Sequence, residues 1–300
     1  MIVVPDIHGR DFWLEPVLNS IGMEEIIFLG DYLDPYPDEG ISREAALKVF
    51  LGVIEVKKVS PDTVTLLLGN HDCEYIYGRD VCDCRCDYGH YDEIQKLFRK
   101  NKDLFTLAGE ATVGGKRFVF THAGLSREWL DLCLKGRWNK ENVVELLNEK
   151  NRQALASGNP EHTPFAKALG LTDRYRRGSG DFGSPVWMDA HALLEGPKFS
   201  GVVQVVGHTQ LEVDEPLLTP NIWFTDCRRA LRIDQDGNLC LFDGTKCVKA
   251  PKAKKEGKLF DIDEFGQPFC CTCGSYDVYI RAGMVVDHWY CCKCGKDYIG

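Results

Sequence analysis

The chain has 300 residues and a mass of 33.9 kDa, with 27% charged and 44% hydrophobic residues, enough for one large domain, or one plus a small appendage, with a full buried core. A net charge of -9 and a pI near 5.4 exclude nucleic acid held by bulk electrostatics alone, although a local basic patch stays open. No basic start, apolar core and small-residue cleavage site marks a secretory signal, no apolar run approaches membrane-spanning length, and the spacing of the 14 cysteines reads as metal binding in a reducing compartment, so the expectation is a cytoplasmic protein without a membrane partner.

In chain order, Ile2 to Val4 form a first strand and Asp11 to Ser20 a short helix. The apolar run from Ile26 ends in Gly30-Asp31 and reads as a buried strand, followed by a Pro- and Gly-rich loop from Asp34 to Gly40. Ser42 caps a helix to about Lys58, because Ala45, Ala46, Val49, Phe50, Val53 and Ile54 recur at helical spacing. Val64 to Leu68 are a third strand. Periodicity then vanishes between Tyr75 and His90, where Cys82, Cys84 and Cys86 sit in what reads as an inserted loop beside a site. A helix from Tyr91 to about Lys100 precedes a hairpin turning at Gly114-Gly115, and Trp129 to Leu134 and Asn139 to Leu155 are helices. Ala156 to Pro185, rich in Gly, Pro, Ser and Arg, is expected to be a lid or substrate loop. Gly201 to Val206 and Ile222 to Thr225 are buried strands, and Leu231–Ile233 pairs with Leu239–Phe242 across Asp236-Gly237. The expected domains are 1–245, a Lys-rich linker 246–262, and a small unit 263–300.

One design recurs five times: an apolar strand that ends in glycine and a ligand-type residue. It yields Asp6 and His8, Asp31, Asn70 and His71, His122, and His208. Such strand ends are where α/β proteins collect ligands. Asp6 and His8 are two apart, so both side chains can turn to one metal. Asp31 would use both carboxylate oxygens to bridge two ions roughly 3.5–4 Å apart, with Asn70, His122 and His208 completing the second. Mixed oxygen and nitrogen ligands suit manganese, iron or zinc.

The blocks Asp6-Ile7-His8-Gly9, Gly30-Asp31-Tyr32-Leu33-Asp34, Gly69-Asn70-His71-Asp72, His122-Ala123-Gly124 and Gly207-His208-Thr209, in this order, resemble the calcineurin-like metallophosphoesterases. Within them the single His208 is similar to the Ser/Thr phosphoprotein phosphatase branch and its diadenosine tetraphosphatase relatives. The resemblance implies an α/β fold, a two-sheet α/β/β/α sandwich with helices outside, spanning about 1–242. It implies that Asp6, His8 and Asp31 hold one metal and Asp31, Asn70, His122 and His208 the other. It also implies that His71 is the general acid with its ring held by Asp34, and that a metal-bridging hydroxide attacks phosphorus. The pattern departs after Asp34, where Pro35 and Tyr36 replace the branch's phosphate-gripping arginine. Arg10, Arg79 and Arg177 are the candidate replacements, with Arg174 and Arg176 as further candidates in the long loop. Trp187 resembles the family's tryptophan block, and core packing explains it equally well.

Two C-x-x-C-G turns place Cys270, Cys273, Cys291 and Cys294 at the spacing of a structural zinc ribbon, with Cys271 and Cys292 offering a shifted register. The ribbon's Tyr276, Tyr279, Arg281, His288, Trp289 and Tyr290 could present a stacking surface to nucleic acid or a peptide, or simply dock. Cys73, Cys82, Cys84 and Cys86 are free thiols, a further metal site or a redox sensor. The expected activity is phosphomonoester hydrolysis on phosphoprotein. Cleavage of a dinucleoside polyphosphate or other phosphoanhydride is the enzymatic alternative, and a metal-holding scaffold with ribbon-mediated recruitment the alternative of another class.

Overall fold

Two sheets, with helices between their strands, organise the first part of the chain. The computed structural model describes residues 1–196 and 201–242, with the backbone alone of 247–248, 260–262, 268–270, 278–281, 288–291 and 297–299. The elements are β1 (Ile2–Val4), α1 (Leu14–Ser20), β2 (Ile26–Phe28), α2 (Arg43–Val59), β3 (Val64–Leu67), α3 (Asn70–Ile76), α4 (Tyr91–Lys100) and β4 (Phe105–Thr106). They continue with β5 (Ala108–Val113), β6 (Lys116–Thr121), α5 (Arg127–Leu134), α6 (Val143–Leu155), α7 (Pro164–Leu169), α8 (Ala190–Glu195) and β7 (Val203–Val206). The last are β8 (Leu217–Leu218), β9 (Ile222–Phe224), β10 (Leu231–Ile233), β11 (Leu239–Leu241) and β12 (Cys247–Val248).

The first sheet runs β12-β11-β10-β1-β2-β3-β4 and the second β5-β6-β7-β9-β8. β1 to β4 are parallel neighbours, as are β6, β7 and β9. Strands buried on both faces need continuous apolar runs, and every residue of β1 and β2 is buried. The sheets meet face to face at Gly109 of β5, where a Cβ would stand 2.6 Å from Ile27 Cδ1 of β2. This agrees with the expected sandwich. α2 buries Ala46, Phe50, Val53 and Ile54 along one stripe. Its start is capped by Ser42 Oγ, which accepts from Ala45 N at 3.2 Å, worth about 1 kcal/mol.

Gly69 leads directly into α3, which carries Asn70 and His71 in its first turn. The expectation that 156–185 is a lid or substrate loop is corrected in part: most of the segment is exposed or half-buried, but α7 and Asp173 anchor it to the core. α7 buries Phe165, Ala166 and Leu169, and the Asp173 carboxylate accepts the Tyr175 and Asp189 amides at 2.9 and 2.7 Å. Polar composition concealed this, since those backbone amides are satisfied by a buried side chain rather than by a ladder.

The chain divides into compact units at 1–250 and 251–300, so β12 belongs to the first sheet rather than to a linker. The second unit has strands 260–262 paired with 268–270, and 278–281, 288–291 and 297–299 in one antiparallel sheet. The zinc ligands expected at Cys270, Cys273, Cys291 and Cys294 lie outside the residues whose side chains are described. Among the described residues no helix is long and apolar enough to cross a membrane.

Candidate metal centre and active site

Strand pairing continues past β1 and β2 and sets the site. Ile7 N and His8 N both donate to Asp31 O, at 3.2 and 2.7 Å, and Gly9 N donates to Tyr32 O at 3.0 Å. His8, Asp31, Asp34 and His208 all adopt positive φ, between 46° and 64°. For residues with a Cβ this conformation costs on the order of 1–3 kcal/mol each, and such strain gathers where side chains must be aimed. Two glycines make room. A Cβ on Gly69 would stand 2.1 Å from Asp31 Oδ1, and one on Gly207 would stand 2.1 Å from Asp6 Oδ1.

Asp31 is the hub. Its Oδ1 accepts the His71 amide at 3.0 Å, leaving Oδ2 facing His8 Nε2 at 3.5 Å and His122 Nε2 at 3.4 Å. Oδ1 thus carries a backbone hydrogen bond, and Oδ2 alone is common to both imidazoles. His122 Nε2 also lies 3.1 Å from Asn70 Oδ1 and 3.1 Å from His208 Nδ1. Asp6 instead turns both oxygens to the His208 amide, at 3.0 and 3.1 Å.

Second contacts fix the imidazoles. A carbonyl can only accept, so His8 Nδ1–H donates to Leu33 O at 3.0 Å and His122 Nδ1–H to Leu29 O at 2.9 Å. Each ring then presents Nε2 inward, the arrangement of a metal-ligating histidine. Burial pushes His8 down to about 3 despite the opposing pull of Asp31, so its neutral Nε2 lone pair faces a carboxylate oxygen, acceptor against acceptor. Burial also drives His208 well below its usual value, and its Nε2 is buried without a hydrogen-bond partner among the described residues. Asp6 rises to about 6 through burial, with Asp31 adding to the effect. His122 goes the other way, to about 10, because Asp31 and Asp6 overcome the cost of burying its charge.

The centre is thus a buried set of lone pairs and acidic groups in which Asp31 and Asp6 draw a proton toward His122. Divalent cations fit it. Two groups of side chains, His8, Asp31 and His71, and Asp31, His122 and His208, each bring ligand atoms within 4.8 Å of one another and share Asp31. Neither group contains a cysteine. Cys73, Cys82 and Cys86 are buried free thiols, and Cys84 Sγ donates to Asn70 O at 3.6 Å.

His71 forms a dyad with Asp34, Nδ1 to Oδ2 at 3.0 Å, and Tyr75 OH donates to the other Asp34 oxygen at 2.7 Å. Burial works against a charged ring, but Asp31 and the hydrogen-bonded Asp34 outweigh it and His71 is raised.

Sequence reasoning missed three members. Asp72 accepts the amides of Asp31, Tyr32 and Gly69 at 2.7, 3.1 and 2.8 Å and ties β2 to β3. Asp226 emerges after β9 at a further strand end, buried, with Oδ1 unpartnered among the described residues. Burial and Asp6 push it well above the usual carboxylate range. The apolar run before it was legible, and no glycine marked the turn. Tyr36 lies edge-on to His8, ring centroids 4.9 Å apart. Trp187 likewise meets His208 edge-on at 5.3 Å.

Of the three arginines expected to grip phosphate, only Arg10 approaches the centre, its Nη1 3.4 Å from Asp6 O, and its charge is paired with Glu39 at 2.9 and 2.7 Å. Arg79 is exposed over the Tyr91 ring at 4.5 Å, and Arg177 is exposed in a left-handed turn. Arg174 pairs with Asp181 and Glu195, and Arg176 with Asp189 at 2.8 Å while reaching Thr209 Oγ1 at 3.3 Å.

This chain is similar to serine/threonine-protein phosphatase 7 of Arabidopsis thaliana, 27% identical over 201 residues, covering 64% of this chain and 43% of that protein. It is similar to the serine/threonine-protein phosphatase 6 catalytic subunit of Drosophila melanogaster, 30% identical over 136 residues, covering 43% and 41%. The chain therefore spans less than half the length of the curated relatives it matches. In structure it is similar to a cold-active protein-tyrosine phosphatase of a psychrophilic Shewanella species, with a TM-score of 0.54 at 17% identity over 83% of this chain and 80% of that one, a likeness of fold. The calcineurin-like phosphoesterase family matches residues 1–211, which contain every strand end of the centre except that of Asp226. With those strand ends gathered around Asp31, the chain belongs to the calcineurin-like phosphoesterase family.

Proposed function

We propose that this protein hydrolyses phosphomonoesters, with phosphoserine or phosphothreonine in proteins as the leading substrate class. Two divalent cations, drawn from manganese, iron and zinc, would be held by Asp6, His8, Asp31, Asn70, His122 and His208. When bound, such cations supply positive charge that polarises a phosphoryl group and acidifies water. The strand ends keep these side chains pointed at one buried volume, and the glycines at 69 and 207 let the carboxylates approach it.

The observation that carries the reading is the His71–Asp34 dyad beside Asp31. Asp34, pinned by Tyr75, accepts Nδ1–H and stabilises the imidazolium, leaving Nε2 to give its proton to a departing alkoxide. A serine alkoxide is a poor leaving group, so a proton donor matters most for such substrates. Two relatives bearing the name serine/threonine-protein phosphatase support that substrate class. A pure scaffold has no use for a proton donor there.

A panel of phosphopeptides, diadenosine tetraphosphate and a bis-aryl phosphate tests the reading in cation-loaded protein. Turnover of phosphopeptides is the expected result. Preference for diadenosine tetraphosphate would make the protein a phosphoanhydride hydrolase, and no turnover across the panel would leave a binding scaffold.

A further inference from the structure

Most of the arginines around the centre face a carboxylate. Arg10 faces Glu39, Arg176 faces Asp189, Arg174 faces Asp181 and Glu195, and Arg43 faces Asp87 and Glu93. Arg85, from the cysteine-rich segment, has no carboxylate partner among the described residues. Its Nη1 donates to the backbone carbonyls of Asp34 and, at 2.8 Å, Pro35, and its Cζ lies 4.7 Å over the Tyr36 ring. Both carbonyls are neutral. Nε and Nη2 make no hydrogen bond among the described residues, and the side chain is half-buried beside a cavity of about 240 Å³.

The placement is specific. The two carbonyls belong to the dyad's own Asp34 and the residue after it, and the ring under the guanidinium is the one whose edge meets His8. His8 in turn meets His71 edge-on at 5.0 Å. A partly desolvated cation without a counter-charge is unfavourable unless an anion completes it, and a planar fork held on one nitrogen leaves its other edge for two parallel bonds to a tetrahedral oxyanion.

We propose that Arg85 is the anion-binding guanidinium of this site, clamped by the Asp34 and Pro35 carbonyls and the Tyr36 ring so that Nε and Nη2 take two oxygens of the substrate phosphate. The inference rests on the phosphoesterase reading and adds a substrate-gripping residue to it. It also gives the cysteine-rich segment a role, which is to deliver a side chain to the face of the dyad.

The test uses the full chain loaded with manganese and inorganic phosphate as the probe, titrated by calorimetry. Arg85→Gln keeps a donor for the carbonyls and removes the charge, and it is expected to weaken phosphate binding about 10- to 100-fold with an unchanged melting temperature. Arg85→Lys is expected to recover part of that loss, and KM for an aryl phosphate is expected to rise more than kcat falls. Wild-type phosphate affinity in Arg85→Gln would overturn the proposal, as would absence of phosphate binding in the manganese-loaded wild type. A lowered melting temperature with unaltered phosphate affinity would reduce Arg85 to a clasp for its own loop. Failure of the hydrolase reading looks different: phosphate binds through Arg85, yet no member of the substrate panel turns over.

Discussion

The two sheets contribute unlike halves to one centre. On the first, Asp6, His8, Asp31, Asn70 and His71 are joined by bonds between adjacent strand ends: Asp31 O takes two amides from the first block, and Asp72 ties Asp31, Tyr32 and Gly69 together. On the second, His122 and His208 are held across the sandwich. His122 donates to Leu29 O at 2.9 Å, and the His208 amide lies on the Asp6 carboxylate. The first half is built by local pairing, and the second is positioned only when the sheets dock. The hub Asp31 belongs to the first half, while His122, whose hold on a proton Asp31 strengthens, belongs to the second.

The largest effect should come from breaking the hub. Asp31→Asn is expected to lower turnover about a thousandfold on every substrate, with the far-ultraviolet circular dichroism spectrum unchanged. A uniform loss is the signature, because both halves converge on Oδ2. His71→Ala acts within the first half alone. It is expected to cost on the order of 10² or more on phosphoserine peptides and far less on an activated aryl phosphate, with cation content preserved. Equal losses on both substrates would count against an acid role, and loss of cation would make His71 a ligand.

Gly207→Ala probes the seam between the halves. Its methyl group would press on Asp6 Oδ1, so cation affinity measured by competition with a chelating dye is expected to fall about tenfold or more. An unchanged affinity would show that Asp6 can move away without consequence. The smallest effect concerns the proton. With His122 at about 10 in the cation-free centre, cation and proton compete for its Nε2. Raising the pH removes the competitor, so apparent cation affinity should increase by up to about tenfold per unit between about 6, where Asp6 also takes up a proton, and that value, and near neutrality about one proton should be released on loading. Calorimetry in buffers of different ionisation heat measures that release, and none would contradict the assignment.

The same contrast explains what the sequence discloses. Asp6, His8, Asp31 and Asn70 were legible because each block follows an apolar run and carries a glycine, directly beside His8, Asp31 and Asn70 and three residues after Asp6, a local signature of a strand end that must turn sharply. His122 and His208 share that signature, but their partners in the first sheet do not follow from it. Asp72 was hidden in a block whose neighbours attracted the chemical reading, since its task is to accept backbone amides rather than meet substrate. Asp226 was hidden because no glycine announced it. The segment 156–185 looked like a lid from composition, yet Phe165 and Leu169 are buried and Asp173 satisfies its backbone, a result of docking that local pattern does not encode. Arg85 was overlooked because its importance lies in what it lacks, a counter-charge, and that is a property of the assembled site.

The account depends on buried lone pairs around Asp31 being filled by divalent cations. Elemental analysis of manganese-loaded wild type and Asp31→Asn, prepared side by side, addresses this directly, because any metal held by the C-terminal cysteines cancels in the difference. The account predicts that the variant holds about two fewer divalent ions per chain than the wild type. Equal metal content in the two proteins would contradict it.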